Sequence, residues 1–210
     1  MVQTDARSDL LNDRRAGGIY RTAVQMISEK GFAATSMNDI AEAVELTKPG
    51  LYYYVKGKQE LLFSIMSFAM DRLDADVVEP ARAIADPEER LRLIVRRHAR
   101  LLTSEPAAAS TVAILMDEMR GLEPARRAEI EGRKRAYFEL LRQTLDELKQ
   151  EGKLLPVDTT VAAFSLLGMV MWLVRWYDPD GRLASEDLVR DLTEIAAAGM
   201  LRPEPAAASR

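Results

Sequence analysis

Apolar residues recur every three or four positions along most of this chain, and no stretch alternates apolar and polar residues over the length of a strand. The first recurrent run follows positions i, i+4, i+7 and i+8 of one helical face: Ile19, Ala23, Met26 and Ile27. Gly31 comes four residues after Ile27, and glycine is the residue that most often ends a helix. The pattern therefore predicts an all-α protein.

Start and stop signals divide the chain into nine predicted helices. Ser36 followed by Asp39 is the pattern of a capping box and opens the second helix. Thr47 caps the third helix, with Pro49 in its first turn. Pro80 is expected to stop the fourth helix and Ser185 to cap the ninth. We expect the fourth to ninth helices at about residues 58–79, 87–105, 107–120, 124–152, 158–177 and 185–199.

The second and third predicted helices have the size of a helix-turn-helix, with their turn around Glu45 and Leu46. Leu51 and Val55 are four residues apart, so they form the inner face of the third helix. Three adjacent residues cannot all face a core, so at least some of the tyrosines between them point outward. A tyrosine hydroxyl can bind phosphate and a lysine releases counterions, so this surface fits DNA. A tyrosine cluster is also typical of a protein interface, and spacing alone leaves both open.

The charge of the chain restricts how it can bind nucleic acid. The net charge is −4 over 210 residues, and residues 1–60 hold eight Lys or Arg against eight Asp or Glu. DNA binding therefore requires a local patch. Hydrophobic residues make up 48% and charged residues 30%, an ordinary balance for a soluble protein. The apolar run Val161–Val174 is shorter than the roughly 20 residues of a membrane span. We expect a cytoplasmic protein without a membrane partner.

The sequence contains few residues that could form a catalytic or metal-binding site. The chain has no cysteine and His98 is its single histidine, which excludes thiolate and multi-histidine metal sites. No glycine-rich phosphate loop is present. We predict no catalytic residue, metal ligand or cofactor. A helical scaffold or adaptor that does not bind DNA is the alternative class to a DNA-binding regulator.

The stretch from Ile19 to Leu62 resembles the N-terminal domain of TetR-family transcriptional repressors. The resemblance is carried by T-S-M-N-D-I-A, residues 35–41, and by T-K-P-G-L-Y-Y-Y-V-K-G-K-Q-E-L-L, residues 47–62. It implies a TetR-like homodimer that reads a palindromic double-stranded operator and responds to a small-molecule effector. The domains expected are a three-helix DNA-binding domain, a ligand-binding and dimerisation domain, and a disordered tail: residues 1–60, 61–202 and 203–210.

The resemblance also implies which side chains meet the operator. Two residues at the start of the second helix would contact phosphate, and the N-terminus of the third helix would approach base edges. The tyrosines would contact backbone and thymine methyl groups, and a lysine at the head of the fourth helix would hold a phosphate. The family usually has glycine where this chain has Glu45. The predicted DNA-binding residues are Ser36, Asn38, Thr47, Lys48, Pro49, Gly50, Tyr52, Tyr53 and Lys58.

The C-terminal half offers candidates for dimerisation and for effector binding. The eighth predicted helix is apolar nearly all round, so the eighth and ninth helices are candidates for the dimer interface; a central core helix of a monomer is the alternative. The sequence Arg175-Trp176-Tyr177 resembles TetR regulators of lipid and steroid catabolism that respond to acyl-CoA thioesters. A lipophilic drug or an aromatic metabolite is the alternative effector, and the same arginine also suits an interface. The predicted ligand-binding residues are Met116, Met119, Phe138, Leu141, Phe164, Met169, Trp172 and Arg175, with Tyr137 a further candidate.

Overall fold

A computed structural model describes residues 14–104 and 106–202 of the chain. The tail expected to be disordered, residues 203–210, lies outside this part. The described residues form nine helices, which confirms the all-α, nine-helix fold expected from the sequence. Their bounds are α1 Arg14–Lys30, α2 Met37–Ala43, α3 Lys48–Tyr54, α4 Lys58–Leu73 continued by a π-helical turn Asp74–Val78 and by Glu79–Arg82, α5 Pro87–Thr103, α6 Pro106–Asp117 followed by a 3-10 turn Met119–Gly121, α7 Pro124–Gln150, α8 Thr159–Met171 extended by Leu173–Trp176, and α9 Ser185–Met200.

Side-chain caps set the N-termini of the short helices. The Ser36 hydroxyl accepts the Asp39 N–H at 3.1 Å, and the Asp39 carboxylate accepts the Ser36 N–H at 3.0 Å, so the predicted capping box is confirmed. These Ser36 hydrogen bonds lower the pKa of Asp39. The Thr47 hydroxyl accepts the Gly50 N–H at 3.2 Å at the start of α3. Each cap satisfies an amide that the first helical turn leaves without a partner.

Two predicted boundaries are wrong. Pro80 does not stop α4, because a π-helical turn precedes it and the N–H of Glu79 bonds to the carbonyl of Asp74. Pro80 then stands in the first turn of the last α-helical segment, where its missing N–H is tolerated. Ser185 does not cap α9 either. It is the first residue of that helix, and its hydroxyl lies 2.7 Å from the Thr103 hydroxyl.

The described residues divide into two compact units, and the first combines residues 14–72 with residues 106–134. Within it α1 packs against α6 and α2 packs against α3. This division differs from a single boundary at residue 60, because α6 and the start of α7 join the helix-turn-helix although they come more than forty residues later in the chain. Its fully buried large side chains include Ile19, Ile40, Leu51, Leu61, Leu62, Met66, Met70, Ile114 and Ile130.

The second unit combines residues 73–104 with residues 135–202. Its central helix α5 packs against both α8 and α9. Two ion pairs join α5 to α9, since Arg92 lies 3.2 Å from Glu194 and Arg100 lies 2.6 Å from Glu186. Both pairs are partly exposed, so each contributes little by itself and together they mainly fix where α9 lies along α5.

The α8 region is more apolar than a run of 14 residues suggested. The 18-residue window Thr159–Trp176 is long and apolar enough to cross a membrane by length and composition alone, and 33% of it is buried. A core helix of a soluble protein passes the same test. The remainder of this helix therefore presents apolar side chains at the surface of the second unit.

A histidine–tyrosine pair is buried in the second unit. Nδ1 of His98 lies 2.9 Å from the hydroxyl oxygen of Tyr137, and the two residues are only 5% exposed. Burial lowers the pKa of His98 to about 4 and raises the pKa of Tyr137. Both side chains are therefore uncharged at neutral pH, and their shared hydrogen bond satisfies polar atoms that are removed from water.

This burial predicts that acid destabilises the second unit. Above pH 6.5 the imidazole is neutral in the folded and unfolded chains alike, whereas between pH 6.5 and 4 only the unfolded chain takes up the proton. The free energy of unfolding should therefore fall by about 3 kcal/mol more between pH 7 and pH 4 in the wild type than in His98→Gln. Urea unfolding at both pH values measures this difference. Equal losses in the two proteins would contradict a buried neutral histidine.

Candidate nucleic-acid interface

The two helices of the helix-turn-helix are held together by apolar residues of α3. Leu51 is fully buried and Val55 is 1% exposed, as the sequence predicted for the inner face. The turn is closed by the N–H of Leu46, which donates to the Ala41 carbonyl at 2.8 Å. With Leu51 turned inward, and Val55 directly after the helix also buried, Tyr52 and Tyr53 between them face away from the core.

Tyr52 and Tyr53 lie on that outward face. Tyr53 is 85% exposed and Tyr52 is 42% exposed, although both are large aromatic side chains. The rings of Tyr53 and Tyr54 meet edge to face, with centroids 5.2 Å apart. Exposed aromatic rings with hydroxyl groups suit a partner that offers both apolar and phosphate surface.

The other residues predicted on α2 and α3 are at the surface too. Asn38, Thr47, Lys48 and Pro49 are exposed, and Gly50 is half-buried. Ser36 is also exposed, and its oxygen, like that of Thr47, accepts a backbone N–H in a cap. A hydroxyl that accepts in a cap still carries a hydrogen to donate, so capping is compatible with a phosphate contact.

Lys58 has a structural role that the sequence did not predict. Its ammonium donates to the Ala33 carbonyl at 3.2 Å and lies 4.3 Å from the centre of the Phe32 ring. It thereby links the first turn of α4 to the loop between α1 and α2. An ammonium has three hydrogens, so a phosphate contact by Lys58 stays a prediction beside this internal contact.

Glu45 occupies the conformation that glycine usually supplies. Its φ is 55°, and it is the only non-glycine residue with a positive φ in the part of the chain that the structure describes. A left-handed conformation costs an L-residue with a side chain about 1 kcal/mol. The exposed Glu45 carboxylate also adds a negative charge two residues before Thr47.

The predicted ligand-binding residues do not all belong to one unit. Met116 and Met119 are in the first unit, whereas the other six are in the second. In the second unit Leu141 is buried, and the rings of Phe138 and Phe164 have centroids 4.7 Å apart. Phe164 is nevertheless 62% exposed and Trp172 is 60% exposed. These two rings lie at the surface of the chain, so their assignment to an effector site stays a prediction.

Sequence reasoning missed the polar contacts that hold the helix-turn-helix to the segment after α6. Glu118, Gly121 and Glu123 contact residues of the α1–α2 loop and of the first turn of α4. These partners are 62 to 86 residues apart along the chain. Periodicity along the chain does not pair residues that are so far apart.

A helix-turn-helix with an outward tyrosine and lysine face defines this chain as a DNA-binding protein. Two family models match it. Residues 19–65 match the model of bacterial regulatory proteins of the tetR family, and residues 85–200 match the tetracyclin repressor-like C-terminal domain. The second match covers more than half of the chain. The chain belongs to the TetR family of transcriptional regulators, which confirms the resemblance seen in its sequence.

The chain is similar over most of its length to regulators of known structure. The crystal structure of AibR in complex with isovaleryl coenzyme A and operator DNA is 38% identical, with a TM-score of 0.78, and the match covers 87% of this chain and 97% of AibR. The structure of the ketosteroid transcriptional regulator KstR2 of Mycobacterium tuberculosis is 25% identical, with a TM-score of 0.82, and the match covers 91% and 97% of the two chains.

A third relative is named as a regulator of metabolism. The fatty acid metabolism regulator protein of Bacillus subtilis is 24% identical over 188 residues, which covers 87% of this chain and 93% of that protein. KstR2 and the Bacillus subtilis protein are thus both named as regulators, and AibR was crystallised with operator DNA.

The strain at Glu45 yields a testable prediction. Glu45→Gly should raise the free energy of unfolding by about 1 kcal/mol, because glycine adopts a positive φ without a steric cost. Glu45→Ala is the matched control, since it removes the same charge and keeps the side chain's steric conflict. Chemical denaturation of the three proteins measures the difference. A glycine variant no more stable than the alanine variant would contradict backbone strain at this turn.

Proposed function

We propose that this protein is a repressor that binds a palindromic operator as a homodimer and is released from it by a small acyl-CoA thioester. The outward face of α3, on which Thr47, Lys48 and Tyr53 are exposed, is the observation that carries the DNA-binding part. α3 enters the major groove, with its N-terminus toward base edges. Ser36, Asn38, Pro49, Gly50 and Tyr52 complete the contact surface, and Lys58 adds a phosphate contact from α4.

The operator can be recovered by selecting bound duplexes from random DNA. A palindrome is expected, with half-sites whose centres lie about 34–36 Å apart, so that two copies of α3 enter successive major grooves. Lys48→Ala should then weaken binding, and it should reduce the slope of log affinity against log salt by about 1, since one phosphate neutralisation is lost.

Arg182→Ala is the control for this experiment, because it removes an exposed cation from the second unit. It should change neither affinity nor slope. The absence of any enriched sequence, from protein shown to be folded, would reject DNA binding and favour the scaffold alternative.

The homodimer is supported by unpartnered apolar side chains on α8 and α9. Val161 and Trp172 of α8 are 61% and 60% exposed, and Ile195 of α9 is 60% exposed. Val161 and Trp172 are separated by three helical turns and so lie on one face of α8. Large apolar side chains of this kind mark a surface that a partner covers. A second copy of the chain is the partner that this family uses.

A charge placed on this face should separate the dimer. Val161→Glu should convert a dimer to a monomer in analytical ultracentrifugation at micromolar concentration, because a carboxylate would be buried without a partner. Thr160→Glu is the matched control. It adds the same charge one position earlier, about 100° around the helix, at an exposed residue. A dimer that persists in Val161→Glu would exclude this face as the interface.

The acyl-CoA effector is supported by the relative AibR, whose structure contains isovaleryl coenzyme A together with operator DNA. We assign the effector contacts to two kinds of residue, an apolar group and a cation. The apolar group would contact the acyl chain, and the exposed cation Arg175 would meet phosphate or carboxylate groups of the ligand. The apolar group lies in the second unit and consists of Phe138, Leu141, Phe164 and Met169.

A panel of thioesters tests the effector. Isovaleryl-CoA, a longer fatty acyl-CoA and free coenzyme A are added to the protein on its selected operator, and the bound fraction is measured. Release by one thioester and not by free coenzyme A is expected. Arg175→Ala should raise the concentration needed for release while leaving operator affinity unchanged. A lipophilic drug or an aromatic metabolite becomes the better effector class if no thioester changes binding.

A further inference from the structure

Both ends of the helix-turn-helix are bound by one turn far along the chain, the residues Glu118 to Glu123 that connect α6 to α7. One end is the loop that precedes α2, and the other is the first turn of α4, which follows α3. All of these residues belong to the first compact unit. The turn therefore contacts the segments on either side of the residues that read DNA.

The loop before α2 is held by Glu118. Its carboxylate accepts the N–H of Phe32 at 2.9 Å. Phe32 is the second residue after α1, following Gly31, whose φ is 81°. The N–H of Phe32 is thus bonded to a side chain 86 residues away. A hydrogen bond to a charged oxygen is stronger than a neutral one, so this contact fixes where the chain leaves α1.

The first turn of α4 is held by the amide of Gln59. Its nitrogen donates to the Gly121 carbonyl at 2.7 Å, and its oxygen accepts the N–H of Glu123 at 3.1 Å. One side chain thus binds both a donor and an acceptor of the turn, which fixes its orientation as well as its distance. Glu60 and Arg126 form an ion pair beside it.

Gly121 is required for the close approach of these segments. A methyl group at Gly121 would lie 2.7 Å from Cδ1 of Phe32 and 3.1 Å from Cδ2 of Leu62. The first distance is too short for two carbon atoms. The φ of Gly121 is not positive, so alanine would suit its backbone and only the contact with Phe32 and Leu62 forbids it. The glycine is therefore needed for packing.

We infer that Gln59, Glu118 and Gly121 form a latch that positions α3 for the operator by fixing both ends of the helix-turn-helix to the α6–α7 turn. This inference rests on the proposed DNA binding. None of the three residues needs to touch DNA, so they are positioning residues. Loosening the latch lets α3 tilt, and base contacts that require a fixed orientation weaken.

Three variants open the latch in different ways. Gly121→Ala adds a methyl group that moves the α6–α7 turn away from Phe32. Gln59→Met removes both hydrogen bonds of the Gln59 amide with a side chain of similar volume. Glu118→Leu removes the oxygen that accepts the Phe32 N–H. Each should bind the selected operator about tenfold more weakly, a change equivalent to about 1.4 kcal/mol. The salt slope should stay that of the wild type, because no phosphate contact is lost.

Two controls separate positioning from a general loss of structure. Gly132→Ala adds the same methyl group in α7 of the same unit, where nothing lies within 4 Å of it, and it should bind as the wild type does. Glu118→Gln keeps an oxygen for the Phe32 N–H and should recover most of the affinity that Glu118→Leu loses. Affinities are measured at a temperature where circular dichroism finds every variant folded.

The outcomes distinguish the latch from the proposed function. Unchanged operator affinity in all three folded variants would overturn the positioning role while leaving DNA binding intact. Hydrogen exchange gives a readout without DNA, because the amides of Phe32 and Glu123 should lose protection in Glu118→Leu and Gln59→Met respectively. Protection that is unchanged in both variants would overturn the latch itself. Failure of the wild type to bind any duplex would reject DNA binding, and exchange would still decide whether the latch exists.

Discussion

The burial of Leu51 is the interaction on which the outward tyrosine face of α3 depends. α3 has only seven residues, and a helix of that length is not stable in water by itself. Leu51 is fully buried and Val55 nearly so, and this docking holds α3 in place while Thr47 caps its first turn. Because these two residues take the inner positions, Tyr52 and Tyr53 must point outward. The exposed aromatic surface follows from how the helix is anchored.

The anchored helix is then supported from a distant part of the chain. The first compact unit includes α6 and the start of α7, so the helix-turn-helix belongs to one unit with segments that a linear division would assign elsewhere. Side chains such as Glu118 and Gln59 satisfy backbone groups of the loops that flank the helix-turn-helix. Loops are otherwise the most mobile parts of a fold, so these bonds fix the segments on either side of α2 and α3.

The second unit is built around its central helix α5. α5 is covered by α8 and α9, and polar contacts such as Arg100 with Glu186 fix α9 along it. The buried His98–Tyr137 pair remains neutral and hydrogen-bonded, which removes the cost of two isolated polar groups. Once this core is complete, apolar side chains such as Val161 and Trp172 are left over at the surface. Their exposure is what supports the proposal of a dimer face on α8.

The sequence by itself determined the helices and which side of α3 is buried. Local signals, such as the Ser36–Asp39 box and the four-residue spacing of Leu51 and Val55, act within one or two helical turns, so a single sequence contains them in full. Only the tertiary structure decided the continuation of α4 past Pro80, the internal contact of Lys58 and the bonds of Glu118 and Gln59. Each of these depends on a π-helical turn or on residues brought together from far apart, and periodicity along the chain carries no information about such pairs.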